Sequence, residues 1–294
     1  MKAIDAVLAA RGLRPAQRPL NVHRVLWEAF HWAGNILPPP ELASRPGFEG
    51  QVLLAKAYQW YEKVYAEKLK VDSSLSHIPV LLGNDVWRAR IVLVYGRTQM
   101  FVDRNLYNRG NRMGTPGRPA TFNILCAVEG LTQELADRLS DTELERYASL
   151  TQVAYKALVW REGLPPMQLL TAARGDYSSS TDDALARRHA QARWGAQQAV
   201  EKTLKGLLTL ARIPFPTGGS RGHDLVHMAE LLEDRSYLMI DRSDLLASSC
   251  SPAARYAEEP STEAQAVCAN HAVLRVLLRL ADDPHTGSIL SLAR

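Results

Sequence analysis

Hydrophobic residues recur over most of this chain at the three-to-four-residue spacing of amphipathic helices. In the first part of the chain the segments with this spacing are 22–33, 48–69 and 131–160. The first two segments are rich in aromatic residues, which favours core packing because large rings supply much of a core's buried area. A further pattern runs through 185–208, with small or apolar residues on one face and Glu201, Lys202 and Lys205 on the other.

A region of alternating hydrophobic and polar residues interrupts the helical pattern after Asp72. The segments 78–82 and 86–95 alternate in this way, and Gly83-Asn84-Asp85 between them is typical of a hairpin turn. Segments 98–103 and 121–128 are candidates for further strands. These strands predict a small antiparallel sheet among helices.

Proline, glycine and serine residues between the patterned segments predict two domains. Together with the patterns themselves, they predict an α+β protein that is mostly helical. Pro165-Pro166 and the glycine and serine residues of 173–183 are typical of a linker. We therefore expect a mixed α+β domain over 1–165, a linker over 166–182 and a helical domain over 183–294. A chain of 294 residues is long enough for two separate cores.

One segment of the first domain is strongly basic. Residues 104–118 contain no acidic residue and carry four arginines, which are Arg104, Arg109, Arg112 and Arg118. Together with Tyr107, these arginines could neutralise phosphates and stack on a base, a mode of binding that needs little sequence recognition. The alternative is a mobile surface loop between two strands whose charge has no particular function.

The segment 187–234 joins a long helical pattern to a short one through a glycine-rich turn. The residues that characterise the first helix are Gln197, Gln198, Glu201, Lys202 and Lys205. The second helix opens on His223-Asp224-Leu225, and Ala253-Ala254-Arg255-Tyr256 precedes a last helical run at 262–280. Over about 183–283 this order of elements resembles the HDL branch of the HEPN family, a family of helical nucleic-acid-associated domains.

The resemblance implies a four-helix bundle that commonly dimerises and occurs in ribonuclease toxins and anti-phage proteins. Ribonuclease members hold the scissile phosphate with an arginine and a histidine a few residues apart, and Arg221 and His227 match this pair. In such a reaction no metal is needed, because His227 would assist proton transfer and Arg221 would stabilise the charged phosphorane. The basic residues implied as backbone contacts are Lys202, Lys205 and Arg255, beside His223 and Asp224.

The same residues also have structural interpretations. His223 or Asp224 can cap the following helix by accepting an unpaired backbone N–H. His227 can lie on a partly buried helix face, and Lys202 and Lys205 on a solvated one. In addition, Gly222 follows Arg221 where active members more often carry a polar residue.

Composition limits the remaining possibilities. The net charge of +4 permits nucleic-acid binding without requiring it. The three cysteines are isolated and offer no zinc-ligand spacing, so we expect neither a disulfide framework nor a metal, and no cofactor. Neither a secretion signal nor a membrane-spanning run is apparent, which favours a cytoplasmic protein without a membrane partner.

Three functions therefore stay open. The favoured one is a prokaryotic protein of a defence or toxin-type system that binds nucleic acid, RNA rather than DNA, without cutting it. The second is a metal-independent endoribonuclease that uses Arg221 and His227. The third is a dimerising scaffold or accessory subunit that docks on an effector or antitoxin protein.

Overall fold

The computed structural model describes residues 1–31, 38–69, 72, 74–94, 98–107, 118–234, 239–255, 258 and 260–291. Within these residues helices dominate, and the strands form one antiparallel and one parallel pair. The chain divides into two compact units, Met1–Ser73 and Ser74–Arg294. None of the described helices is long and apolar enough to cross a lipid bilayer.

The first unit contains the helices α1 (Lys2–Ala10), α2 (Arg18–Phe30) and α3 (Gly50–Tyr65). Their shared core is formed by Leu8, Val22, Leu26, Leu54, Ala57 and Tyr61. A polar cluster also ties the helices together, since Arg18 Nη1 lies 3.1 Å from Asp5 Oδ1 and 2.8 Å from the Tyr65 hydroxyl. Burial raises the pKa of Asp5, but hydrogen bonds from Tyr65 and Arg18 outweigh burial and leave it below its ordinary value.

The second unit opens with the predicted hairpin. Strands β1 (Ser74–Leu82) and β2 (Asp85–Val92) pair antiparallel, and Leu82 faces Asp85 across a two-residue turn. Gly83 and Asn84 have φ values of 58° and 68°, and these left-handed conformations suit the twist of a tight hairpin. The predicted hairpin is confirmed.

The next two strands are shorter than the sequence predicts. Strands β3 (Thr98–Phe101) and β4 (Ala120–Asn123) pair in parallel with each other. The strand expected over 121–128 stops at Asn123, whose side-chain oxygen accepts the N–H of Leu125 at 3.2 Å. That bond starts a 3-10 turn over Ile124–Ala127.

The remaining α-helices that the structure describes all lie in the second unit. Their bounds are α4 (Gln133–Arg138), α5 (Asp141–Glu162), α6 (Gln168–Leu185), α7 (His189–Leu210), α8 (Leu225–Glu233), α9 (Arg242–Ser248), α10 (Pro252–Arg255), α11 (Glu263–Asp282) and α12 (Pro284–Ser291). The four long helices assemble side by side, with α6 along α7 and α11 against both α5 and α7. The short helices α8 and α9 pack against α7 and α11.

The linker expected over 166–182 is in fact most of α6. Glycine and serine favour loops in isolation, but α6 buries a full face that includes Leu170, Tyr177 and Ala184. Ser180 is also buried, where its hydroxyl donates to the Ala192 carbonyl at 2.8 Å. Packing and side-chain hydrogen bonds therefore outweigh local propensity.

The expected domain boundary near residue 165 also differs from the structure. Ile78 and Ile91 of the hairpin share one buried core with Leu158 of α5 and Leu204 of α7. The sheet consequently belongs with the C-terminal helices, and the compact units meet in sequence at 73/74. Segments that follow each other in the pattern need not belong to one core.

Candidate functional site

The centre of the candidate site is a buried carboxylate on α7. The Glu201 side chain is only 5% exposed, and Lys205 Nζ donates to it at 2.7 Å. His223 Nδ1 lies 3.1 Å from both of its carboxylate oxygens. The sequence pattern places Glu201 on a polar face opposite the packed one, and this prediction is wrong, because the loop that carries His223 folds back over that part of α7.

The His223-Asp224 pair fastens the turn before α8. Asp224 Oδ1 accepts the backbone N–H groups of Val226 at 3.0 Å and His227 at 3.1 Å, which confirms the capping role. A Cβ atom at Gly222 would lie 3.2 Å from the Thr217 carbonyl carbon, so the loop passes close to this glycine. The Glu201 bond and the cap together fix the position of the turn, and we call residues 221–227 the clasp.

Arg221 and His227 lie at the two ends of the clasp. Arg221 is exposed, and its side chain makes no hydrogen bond or salt bridge with the part of the chain that the structure describes. The His227 side chain is 29% exposed, and its Nδ1 lies 3.9 Å from Glu230 Oε2 on the outer side of α8. Neither side chain is buried in the core of the second unit.

The two lysines predicted to contact phosphates have partners within the protein. Lys202 Nζ lies 2.6 Å from Asp176 Oδ2 on α6, and Lys205 pairs with Glu201. Both lysine side chains are largely buried, and their charges are offset by these carboxylates. Their positions do not fit either of the sequence interpretations, a phosphate contact or a freely solvated face.

The basic segment 104–118 is only partly described. Arg104 donates from Nε and Nη2 to the Leu139 carbonyl at 2.9 and 2.8 Å, and its Nη2 lies 2.6 Å from Asp141 Oδ1. Arg104 therefore holds the end of α4 instead of presenting a free charge. Arg118 is exposed, whereas Arg109 and Arg112 lie outside the described residues.

The last predicted contact, Arg255, ends α10, and only its backbone is described. No three histidine, cysteine, aspartate or glutamate side chains converge as a candidate metal site within the described ranges. None of the three cysteines forms a disulfide bond with another described residue.

A groove between α5, the hairpin turn and α11 has no signal in the sequence. Its volume is about 810 Å³, and its polar lining consists of Asn84, Arg138, Glu143, Arg146, Ser149, His271 and Arg275. These residues come from three segments far apart in the chain, so no local motif could reveal them. We call this cavity the α5–α11 groove.

Comparison with protein-family models, with curated proteins and with solved structures gives no match for this chain.

Proposed function

We propose that the second unit contains a HEPN-like helical bundle that binds RNA through the clasp without cutting it. The observation that carries this proposal is the state of Arg221, an exposed guanidinium with no partner among the described residues. A free arginine on a fixed backbone is suited to phosphate, because its planar donors match two phosphate oxygens at once. We place this activity in a prokaryotic defence or toxin-type system.

The surroundings of Arg221 support such a contact. The His223 ring is 56% exposed although its Nδ1 is held by Glu201, so it can lie beside a bound sugar or base. A Cβ atom at Gly218 or Gly219 would meet no atom within 4 Å, so the backbone just before Arg221 is open to a nucleic-acid strand. The clasp is therefore a compact surface for a short stretch of backbone.

The paired charges limit the size of this surface. Lys202, Lys205 and Arg104 already have carboxylate partners, so they add little to phosphate neutralisation. Few counterions would then be released on binding, and the affinity would depend only moderately on salt. This expectation separates the proposal from a broad basic RNA-binding face.

A second candidate is metal-independent RNA cleavage by Arg221 and His227. It is favoured by the position of His227, whose ring is partly exposed on the outer side of α8 and not buried in the bundle. The RNA 2′-hydroxyl would attack the adjacent phosphorus and displace the 5′-oxygen of the next nucleotide, while His227 assists proton transfer and Arg221 stabilises the phosphorane. Dimerisation through the bundle, which we also propose, would bring two such pairs together.

The proposal is tested with labelled single-stranded RNA and DNA in the presence of a chelator, scoring binding and cleavage together. The variant is Arg221→Gln, which keeps a polar side chain and removes the charge. The control is Arg187→Gln, because Arg187 is also exposed and without a side-chain partner among the described residues but lies before α7 begins. The clasp contacts α7 at Glu201, which lies roughly 18 Å along the helix axis from the start of α7. Arg187 is therefore remote from the clasp.

We expect wild type and Arg187→Gln to bind RNA more tightly than DNA. Arg221→Gln should weaken RNA binding about fivefold and lower the salt slope by about one unit. Absence of RNA binding at low salt, or equal affinity of the Arg221 variant, would contradict the proposal. Cleavage that disappears in His227→Ala would instead establish the ribonuclease.

A further inference from the structure

The α5–α11 groove is bounded by described residues of the second unit alone. A neighbouring hollow of about 320 Å³ shares Leu81, His271 and Arg275 with it. Ligand sites for small molecules commonly have volumes of roughly 300–1,000 Å³, so the groove has suitable dimensions. Its residues do not include those of the clasp.

The charged lining of the groove is mostly positive. Three arginines, Arg138, Arg146 and Arg275, face one carboxylate, that of Glu143. Arg138 is paired with Glu134 one turn earlier on α4. Arg146 is exposed and makes no hydrogen bond or salt bridge with the described residues, so its guanidinium is open to a ligand.

The Glu143 carboxylate has a structural role, because its oxygens are held by hydrogen bonds from the protein. It therefore does not occupy the space of a ligand. Its Oε2 accepts the Ser140 hydroxyl at 2.7 Å and the Ser140 N–H at 2.8 Å, and its Oε1 accepts the Gly83 N–H at 2.9 Å. The hydrogen bonds from Ser140 and Gly83 hold the pKa of Glu143 below its ordinary value. The carboxylate therefore links α5 to the hairpin turn and stays charged.

Arg275 provides a second group for an anion. Its Nε donates to Asp244 Oδ1 at 2.6 Å, and that bond orients the guanidinium. The terminal nitrogens Nη1 and Nη2 make no hydrogen bond with the described residues, and the side chain is 41% exposed. Because Asp244 holds Nε, the guanidinium has a fixed orientation, and its Nη1 and Nη2 groups can donate to an oxyanion.

His271 adds a hydrogen-bond acceptor to the lining of the groove. Its Nε2 lies 2.7 Å from the Pro79 carbonyl oxygen, which can only accept, so Nε2 carries the proton. Burial lowers the pKa of His271, so the ring is neutral near pH 7 and Nδ1 is an acceptor. His271 lines both hollows, and the only nitrogen that it can offer a ligand there is Nδ1.

Apart from Gly83, the rest of the wall consists of aliphatic side chains and one tyrosine ring, namely Val80, Leu81, Tyr147, Leu150 and Val153. Leu81 is 57% exposed in a strand whose neighbours Val80 and Leu82 are buried, so the groove offers an uncovered apolar side chain beside the arginines. An apolar wall next to cations and one directed acceptor is the composition expected of a site for a small organic anion.

We propose that the α5–α11 groove binds a small aromatic phosphate that also carries an N–H or O–H group. Its phosphate contacts Arg146 and Arg275, its ring packs on Leu81 and Leu150, and its N–H or O–H donates to His271 Nδ1. The site is separate from the clasp, so it does not depend on RNA binding there.

The test is calorimetric titration of the full-length chain with 4-aminophenyl phosphate, phenyl phosphate and inorganic phosphate. The first probe has the phosphate, the ring and an amino donor on the ring, the second lacks the amino donor, and the third lacks the ring together with that amino donor. We expect one site per chain, with the affinity falling in that order. The step from the first probe to the second should be about fivefold, as for the loss of one hydrogen bond.

Two variants assign the contacts. Arg146→Gln should weaken both aryl phosphates about tenfold, as for loss of a charge-assisted bond. His271→Gln keeps a donor to the Pro79 carbonyl, because glutamine Nε2 is as many bonds from Cβ as histidine Nε2, but it has no counterpart of Nδ1. It should bind both aryl phosphates equally, and Arg187→Gln should bind like wild type.

Other outcomes would overturn the proposal. The absence of saturable binding of either aryl phosphate up to roughly 10 mM would exclude the site, since that limit corresponds to a binding free energy of about 3 kcal/mol. Equal binding of inorganic phosphate would exclude the aromatic ligand class. If Arg146→Gln instead reduced RNA affinity and RNA displaced the aryl phosphate, the groove would belong to a nucleic-acid surface.

Discussion

The residue type at a position defines which bonds a side chain can form, but the fold defines which partner it meets. Asp224 illustrates the first part, because an aspartate at this point of the pattern can cap a helix, and it caps α8. Lys205 illustrates the second, because its partner Glu201 is buried by a loop that returns from beyond the end of α7. Capping is therefore visible in the sequence, and the buried ion pair is not.

Glu201 should contribute measurably to stability, since its carboxylate contacts both Lys205 and His223. Glu201→Gln keeps the shape of the side chain and leaves the largely buried Lys205 cation without its counter-charge. We expect the free energy of unfolding to fall by about 2 kcal/mol, the size of a hydrogen bond to a charged group. Urea denaturation at neutral pH measures this change.

The matched control is Glu145→Gln, because Glu145 is exposed on α5 and makes no hydrogen bond or salt bridge with described residues. Its substitution should change the unfolding free energy by less than about 0.5 kcal/mol. Equal effects of the two substitutions would show that the Glu201 pairing adds no stability.

Among the helices and strands, periodicity succeeds where apolar residues recur at a regular spacing. It locates the hairpin and the α7–turn–α8 unit, since alternation and helical spacing are local properties of the chain. It fails for α6, which has glycine and serine residues and packs closely along α7. Of the serine residues that look like a linker in the sequence, Ser180 is buried where α6 lies close to α7.

The backbones of α6 and α7 come close together at Gly195. A Cβ atom there would lie 3.1 Å from the Asp176 carbonyl oxygen and 3.1 Å from the backbone nitrogen of Ser180. Gly195→Val should therefore push the helices apart and destabilise the second unit by about 2 kcal/mol, as expected of overpacking. Thermal unfolding followed by circular dichroism measures the loss.

Gly175 provides the comparison, because it lies in the same helix pair and a Cβ atom added to it would meet nothing within 4 Å. Gly175→Val should change stability by less than about 0.5 kcal/mol. If Gly195→Val were equally harmless, the close packing of α6 on α7 would be disproved.

For the molecule as a whole, the division of the chain differs from the one that its pattern predicts. The hairpin precedes the helices in sequence, and the pattern assigns it to a separate domain over 1–165. In the structure its residues Ile78 and Ile91 complete the helical core, and Thr181 of α6 donates to the His77 carbonyl at 3.2 Å. The unit that contains the clasp and the groove therefore begins at Ser74.

A fragment of residues 74–294 should fold without the first unit, because it has its own buried core. We expect a helical circular dichroism spectrum and one cooperative thermal transition. A fragment of 166–294, which follows the sequence-based boundary, should aggregate or unfold without cooperativity because it lacks α5 and the hairpin. Cooperative unfolding of the shorter fragment would contradict the division at 73/74.

Local features of this protein follow from its sequence alone: the amphipathic helices, the two-residue hairpin turn and the cap at Asp224. Each of these depends on residues within a few positions of one another, so residue type and spacing are sufficient. Three other features required the folded chain, namely the neutralisation of Lys202 and Lys205, the helical state of α6, and the meeting of Arg146, His271 and Arg275 in one groove. These outcomes depend on burial and on contacts between distant segments, which a local pattern does not contain.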